Sequence, residues 1–196
     1  FDFQKNIKEL WGKVKNYLSD DGIFDKHEEI VLAPKSIVYI VGELEKFSLT
    51  ETDKDVIGDA FEVFAERQFV GDKGEFFTPR QVVKMAVEII DPQPEERILD
   101  PACGSGGFLI YALEHVWNIM ENSPKYKGKD IEEKKKEFAH KFFYGIDKEI
   151  DLVKICKAYM SIIGDGRSNI VKADSLKSPD EWENQARTIL TEDGDE

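Results

Sequence analysis

The sequence predicts an α/β protein built on a parallel sheet, and three observations carry the prediction. From Glu96 onward, short apolar runs alternate with amphipathic stretches of helical period. A glycine-rich turn, Pro101-Ala102-Cys103-Gly104-Ser105-Gly106-Gly107, separates the first of these runs from the helical pattern after it. The composition, 41% hydrophobic and 34% charged over 196 residues, is that of a globular chain rather than a disordered one.

The elements follow in order. Behind Pro34, residues Ile37, Ile40, Val41, Leu44 and Phe47 recur at helical spacing. Ile57, Ala60, Phe61 and Phe64 do the same after Thr52 and Asp53, residue types that cap helices. Residues 1–70 are therefore expected to form a helical N-terminal region, with 71–196 as the second part. Because Phe1-Asp2-Phe3 opens without a methionine, the start is expected to fall inside a longer helical domain. Gly71-Asp72-Lys73-Gly74-Glu75 reads as a polar loop. Thr78-Pro79-Arg80-Gln81 has the form of a capping box, with proline at the first helical position, where its missing N–H costs nothing. The helix it opens carries Val83, Ala86, Val87 and Ile90 on one face and stops near Asp91-Pro92.

Arg97-Ile98-Leu99-Asp100 reads as a buried strand, and Leu109, Ala112, Leu113, Val116 and Met120 as the apolar face of the helix after the turn. A lysine- and glutamate-rich stretch runs from Glu121 to about His140. Within it, Lys134-Lys135-Lys136 follows Glu132-Glu133 and reads as a solvated helix face rather than a nucleic-acid patch. Phe142 to Asp147 is the second strand. Leu152, Ile155, Cys156, Tyr159 and Ile163 mark the next helix, and Asn169 to Lys172 is the third strand, ending near Asp174. Strand and helix in alternation make a parallel sheet.

Several function classes are excluded. The apolar run Ser36 to Val41 is far too short to span a bilayer, and no basic-then-apolar leader is present. Cys103 and Cys156 give neither a disulfide framework nor a paired metal spacing, so a cytoplasmic protein with two reduced thiols and no membrane partner is expected. His115 has no metal partner at useful spacing and reads as structural. A net charge of −13 opposes a simple grip on duplex DNA, itself a polyanion.

The glycine turn lets a ligand approach the backbone at the carboxyl end of the strands, where open α/β sheets bind. A P-loop needs lysine and then serine or threonine after its last glycine, but Phe108 follows Gly107. A dinucleotide fingerprint needs glycine or alanine where Leu109 stands. S-adenosylmethionine, which has no phosphate, needs close backbone contact for its methionine part and a carboxylate for its ribose. Asp100 and Asp147, at the ends of the first two strands, meet these needs.

The full run Asp100-Pro101-Ala102-Cys103-Gly104-Ser105-Gly106-Gly107-Phe108-Leu109 resembles the first motif of amino-group DNA methyltransferases. Gly74-Glu75-Phe76-Phe77-Thr78-Pro79-Arg80, just upstream, resembles the motif that closes over the methionine end of the cofactor in that family. The order and spacing of the two, with the segment Asp55-Val56-Ile57-Gly58-Asp59-Ala60-Phe61-Glu62, are similar to modification subunits of type I restriction-modification systems. The resemblance covers roughly Asp55 to Leu176.

It implies a Rossmann-like S-adenosylmethionine-dependent methyltransferase fold, incomplete here, and adenine-N6 methylation of DNA. Carried across, the cofactor ligands are Glu75, Phe76, Phe77, Thr78, Pro79, Arg80, Asp100, Ala102, Gly104, Ser105, Gly106, Gly107, Asp147 and Asp174. Asp147 would hold the ribose, Asp100 would sit near the cofactor's ammonium, and Asp174 would accept from the adenine amino group. Asp100 also reads as a turn cap, Asp174 as a loop acid, Arg80 as a surface residue, and Phe76 and Phe77 as core aromatics.

The family holds the target amino group with an Asn-Pro-Pro-aromatic motif. This sequence contains no Asn-Pro-Pro, so catalytic residues are expected beyond Glu196 and the chain is expected to bind cofactor without methylating. Implied partners are DNA, a specificity subunit, a restriction subunit and a second copy of the modification subunit. The rival readings are a methyltransferase acting on RNA or protein and a non-catalytic assembly module.

Overall fold

The computed structural model describes residues 3–17, 24, 27–48, 56, 60, 63, 78–128, 130–163 and 169–192. The chain divides into two compact units, 1–57 and 58–196. The expected boundary at 70/71 and most of the helix expected around Ile57 to Phe64 lie outside the described residues.

In the first unit, α1 (Phe3–Tyr17) is tied to the segment that follows it. The Trp11 indole and the Lys15 ammonium both donate to the Glu28 carbonyl, at 3.0 and 2.8 Å. Helix α2 (Pro34–Leu44) starts with proline at its first position, where its missing N–H costs nothing, but buries none of its residues. Phe47, counted with its apolar stripe, lies past its end.

The second unit begins with α3 (Arg80–Ile90). The capping box does not form there. Pro79 has a ψ of 135°, so the helix starts at Arg80, and the Pro79 carbonyl receives the N–H groups of Val82 and Val83. Val83 and Val87 are buried as expected, whereas Ile90 is exposed, because the helix ends there in a left-handed turn at Asp91 (φ 50°). A short polar side chain tolerates that conformation, and Pro92 prevents continuation. The Asp91 carboxylate also meets His115 Nε2 at 2.8 Å, tying α3 to the next helix and giving His115 the structural role expected of it.

Three parallel strands follow: β1 (Ile98–Asp100), β2 (Phe143–Asp147) and β3 (Ile170–Lys172), in spatial order β1-β2-β3. The connections are helices: α4 (Gly107–Asn122) and α5 (Ile131–Phe142) between β1 and β2, and α6 (Ile150–Ile163) between β2 and β3. Parallel neighbours require such crossovers. Paired residues share a face of the sheet, so Asp100, Gly145 and Ile170 look one way. Gly145 lets α4 sit close: a Cβ there would come within 2.8 Å of Ile170 and 2.9 Å of Leu109. The five expected apolar residues of α4 are all buried.

On the opposite face, Ile146 and Val171 are covered by Ala186 of α7 (Asn184–Arg187), with Trp182, Ile189 and Leu190 around it. Leu99 shares that face and is 54% exposed, so β1 is not the fully buried strand the apolar run predicted. The lysine run is also corrected at one position. Lys136 faces solvent, but Lys135 is buried: its ammonium bonds Glu121 and Glu132 and lies 5.6 Å above the Trp117 ring, so its charge is matched where its stem packs.

Among the described residues, no helix is long and apolar enough to cross a membrane, and no three His, Cys, Asp or Glu side chains are grouped to hold a metal.

Candidate functional site

Each strand ends in, or runs into, an acidic residue: Asp100, Asp147 and Asp174. The loops beyond them surround a cavity of about 710 Å³. Its lining brings together Thr78, Arg80, Asp100, Ala102, Gly104, Ser105, Gly107, Asp147 and Asp174 of the expected site. Pro79 and Gly106 do not contribute to the lining. Glu75, Phe76 and Phe77 lie outside the described residues.

The glycine turn is held by the sheet itself. Cys103 N–H donates to the Ile146 carbonyl at 2.9 Å, and Gly104 N–H donates to Asp147 Oδ2 at 2.9 Å. Two of its glycines are left-handed, Gly104 at φ 54° and Gly106 at φ 95°, a region side chains rarely adopt. Gly106 has a second reason to be glycine: a Cβ would lie 2.7 Å from Cys156 Sγ on α6. Gly106 caps α4, whose first N–H groups have no acceptor within the helix and carry partial positive charge.

The three acids differ. Both oxygens of Asp147 accept backbone N–H groups, Oδ2 from Gly104 and Oδ1 from Glu149, each at 2.9 Å. Asp147 is thus the post to which the turn is fixed. A carboxylate accepts about four hydrogen bonds, so capacity toward the cavity remains. Asp100 Oδ1 accepts from Ala102 N–H at 3.1 Å, the cap that was one reading of this residue. Burial pushes the Asp100 carboxyl above its ordinary value; the Ala102 bond opposes this and the nearby Asp147 charge adds to it. Asp174 Oδ1 accepts from Leu176 N–H at 3.1 Å, and its carbonyl accepts the Trp182 indole at 2.9 Å.

The structure adds lining residues that sequence reasoning did not single out: Tyr111, Lys148, Tyr159 and Leu176. Tyr111 is one turn into α4, and Lys148 directly follows Asp147; both could have been found by walking on from the motifs. Tyr159 reads from the sequence only as a core position of α6. Cys103 lies in the wall beside Cys156, and its thiol is pushed far up by the hydrogen bond to Cys156 and by burial, so it stays protonated.

Several known proteins resemble this chain. The methylase subunit of the type I restriction enzyme EcoEI from Escherichia coli is 29% identical over 94% of this chain, which spans 34% of that protein. The MjaVII methylase subunit from Methanocaldococcus jannaschii is 28% identical over 90% of this chain and 27% of its own length. The type II restriction enzyme and methyltransferase RM.BcgI from Heyndrickxia coagulans is 30% identical over 48% of this chain and 14% of its own. The chain thus spans about a third or less of these curated relatives. The solved structure of a modification subunit assigned to a type I restriction enzyme of Vibrio vulnificus YJ016 matches with a TM-score of 0.50 and 29% identity, over 65% of this chain and 26% of that one. The pattern of the N-6 DNA methylase family matches residues 52–193, well over half of the sequence, and the chain belongs to that family.

Proposed function

We propose that this chain is the S-adenosylmethionine-binding part of the modification subunit of a type I restriction-modification system, which methylates adenine N6 in DNA. The observation that carries the proposal is the convergence of Asp100, Asp147 and Asp174 with the left-handed glycine turn on one cavity at the carboxyl ends of the strands. In this reading the sheet is the start of a Rossmann-like methyltransferase fold, residues 1–70 are a helical region before it, and 71–196 carry the cofactor motifs.

The cavity fits the cofactor. Its volume lies in the range of small-molecule sites, and Gly104 and Gly107 in its lining leave the backbone open to close approach. Asp147 holds the ribose hydroxyls with its remaining lone pairs while keeping the turn fixed. Asp100 would balance the cofactor's ammonium, and the N–H groups of the first turn of α4 would suit its carboxylate. Asp174 accepts from the adenine amino group. By the family resemblance, Thr78 to Arg80 would face the methionine end, and Glu75, Phe76 and Phe77 are assigned to the same motif. When bound, S-adenosylmethionine supplies an electrophilic methyl on a sulfonium.

The turn lacks the P-loop lysine after Gly107 and the third glycine of a dinucleotide fingerprint at Leu109, which favours a ligand without phosphate. The sequence contains no Asn-Pro-Pro, so within these 196 residues the proposal assigns cofactor binding and not the holding of the target base. A target adenine would have to leave the helical stack to reach the methyl. With a net charge of −13, DNA is held through the assembled system: a specificity subunit, a restriction subunit and a second modification subunit.

Calorimetric titration of the chain with S-adenosylmethionine tests this, repeated on Asp147→Ala. Saturable binding weakened by the substitution supports the pocket; a folded sample that takes up no ligand overturns it.

A further inference from the structure

Trp182 lies outside the cavity, on the opposite face of the sheet, yet it is bonded to one of the cavity's acids. Its ring packs with Ile146, Val171 and Ala186, and its indole N–H donates to the Asp174 carbonyl at 2.9 Å. The same carbonyl takes Lys177 N–H at 3.0 Å, and Asp174 Oδ1 takes Leu176 N–H at 3.1 Å. The loop after β3 is therefore closed twice upon Asp174: by its own turn and by a half-buried aromatic packed against the core. One carboxylate oxygen is committed to the turn, leaving Oδ2 to address a ligand. On the cavity side the loop presents Leu176, which is 95% exposed, an apolar side chain with room to lie on a planar ring.

We infer that Trp182 is a positioning residue that sets the base selectivity of the cofactor pocket by fixing Asp174 from behind the sheet. This rests on the reading of Asp174 as the acceptor of the adenine amino group. A hydrogen bond to a charged acceptor discriminates a purine bearing the donor from one lacking it by about 10- to 100-fold, but only while the acceptor is held in place. Without the indole bond, Asp174 keeps only its local turn, and the carboxylate samples positions that serve both purines alike.

The test compares the dissociation constants of S-adenosylhomocysteine and of its analogue with hydrogen in place of the 6-amino group. Both are measured on the chain itself, on Asp174→Ala and on Trp182→Phe. The original chain should prefer the amino compound by about 10- to 100-fold, and Asp174→Ala should erase the preference. Trp182→Phe, which keeps an aromatic in the core, should cut the preference by at least ~3-fold while the deamino analogue binds as before.

If the original chain shows no preference, or if Asp174→Ala keeps it, the Asp174 reading fails and the inference falls with it. If Asp174→Ala erases the preference but Trp182→Phe retains it in full, or weakens both ligands equally, the inference alone is overturned. The Trp182 indole resonance of the unsubstituted chain provides a measurement free of folding effects, assigned by elimination with Trp11→Phe and Trp117→Phe. It should shift with the amino compound and not with the analogue; equal shifts with both count against the inference.

Discussion

Helices α2 and α4 are comparably apolar, yet they end in opposite environments. Helix α4 buries Leu109, Ile110, Ala112, Leu113, Val116, Trp117 and Met120 against the sheet and its neighbours, whereas α2 buries nothing. The difference is not one of propensity. Helix α4 has a sheet with a glycine, Gly145, beneath it, and α2 has no such floor among the described residues. Apolar content says that a helix needs a partner; only the arrangement of the rest says whether it has one.

The largest effect comes from making one substitution in both helices. Leu113 is fully buried and Leu44 is 51% exposed. Leu113→Ala should cost about 2–5 kcal/mol in urea unfolding, and Leu44→Ala should stay within about 0.5 kcal/mol. Equal losses would break the comparison, because they would mean that α2 is covered in solution.

A glycine pair comes next. At Gly42, in α2, an added Cβ would have nothing within 4 Å, whereas at Gly106 it would meet Cys156 Sγ at 2.7 Å with φ at 95°. Gly42→Ala should stabilise by about 0.5–1 kcal/mol, as alanine does inside a helix. Gly106→Ala should destabilise by about 1–3 kcal/mol and weaken cofactor binding. Melting curves of both variants check the sign, and a neutral Gly106→Ala would show that the turn yields freely.

Cys103 belongs to that turn, and Cys156 on α6 packs against it. Cys103 is held protonated by its bond to Cys156 and by burial. Alkylation of both cysteines at neutral pH should be at least ~10-fold slower in the folded chain than in urea, since the thiolate is the reactive form. The sign of the linkage follows: a thiol raised in the folded state contributes stability that is lost as pH rises past the ordinary thiol value, so strongly alkaline conditions should destabilise the second unit.

Much of the second unit was legible in the sequence because strands, helices and turn each follow a local rule. The three strands and α4 were found within a residue or two, and so was the clustering of the acids, since parallel strands bring their carboxyl ends together wherever the helices between them run. What failed depended on contacts distant in sequence. Leu99 is exposed because nothing among the described residues covers its end of the sheet face, and Lys135 is buried because Glu121, fourteen residues earlier, neutralises it. The capping box failed for a local reason that pattern alone does not resolve, the extended ψ of Pro79. Trp182 is not legible as a site neighbour because its link to Asp174 is an indole bond to a backbone carbonyl eight residues earlier, which no sequence pattern marks.

The smallest effect is the most informative about the site. Asp100 has a carboxyl raised mainly by burial, so the folded chain holds that proton more tightly than the unfolded one. The sign is then fixed: the group's contribution to stability is fully present below its unfolded value, near 3.8, and is lost as pH rises through its raised folded value. At neutral pH the burial of Asp100 is a cost, and Asp100→Asn, which keeps an oxygen for Ala102 N–H, should melt no more than about 3 °C higher than the unsubstituted chain. The gap should close as pH falls toward 3.8. With S-adenosylmethionine present the order should invert, because a cation opposite Asp100 favours the ionised form, and affinity should fall as pH drops through the raised value. Melting both proteins across pH 4–8, with and without ligand, separates the two roles of this residue: a gap that ligand leaves unchanged would keep Asp100 as the cap of the turn and remove it from the cofactor site.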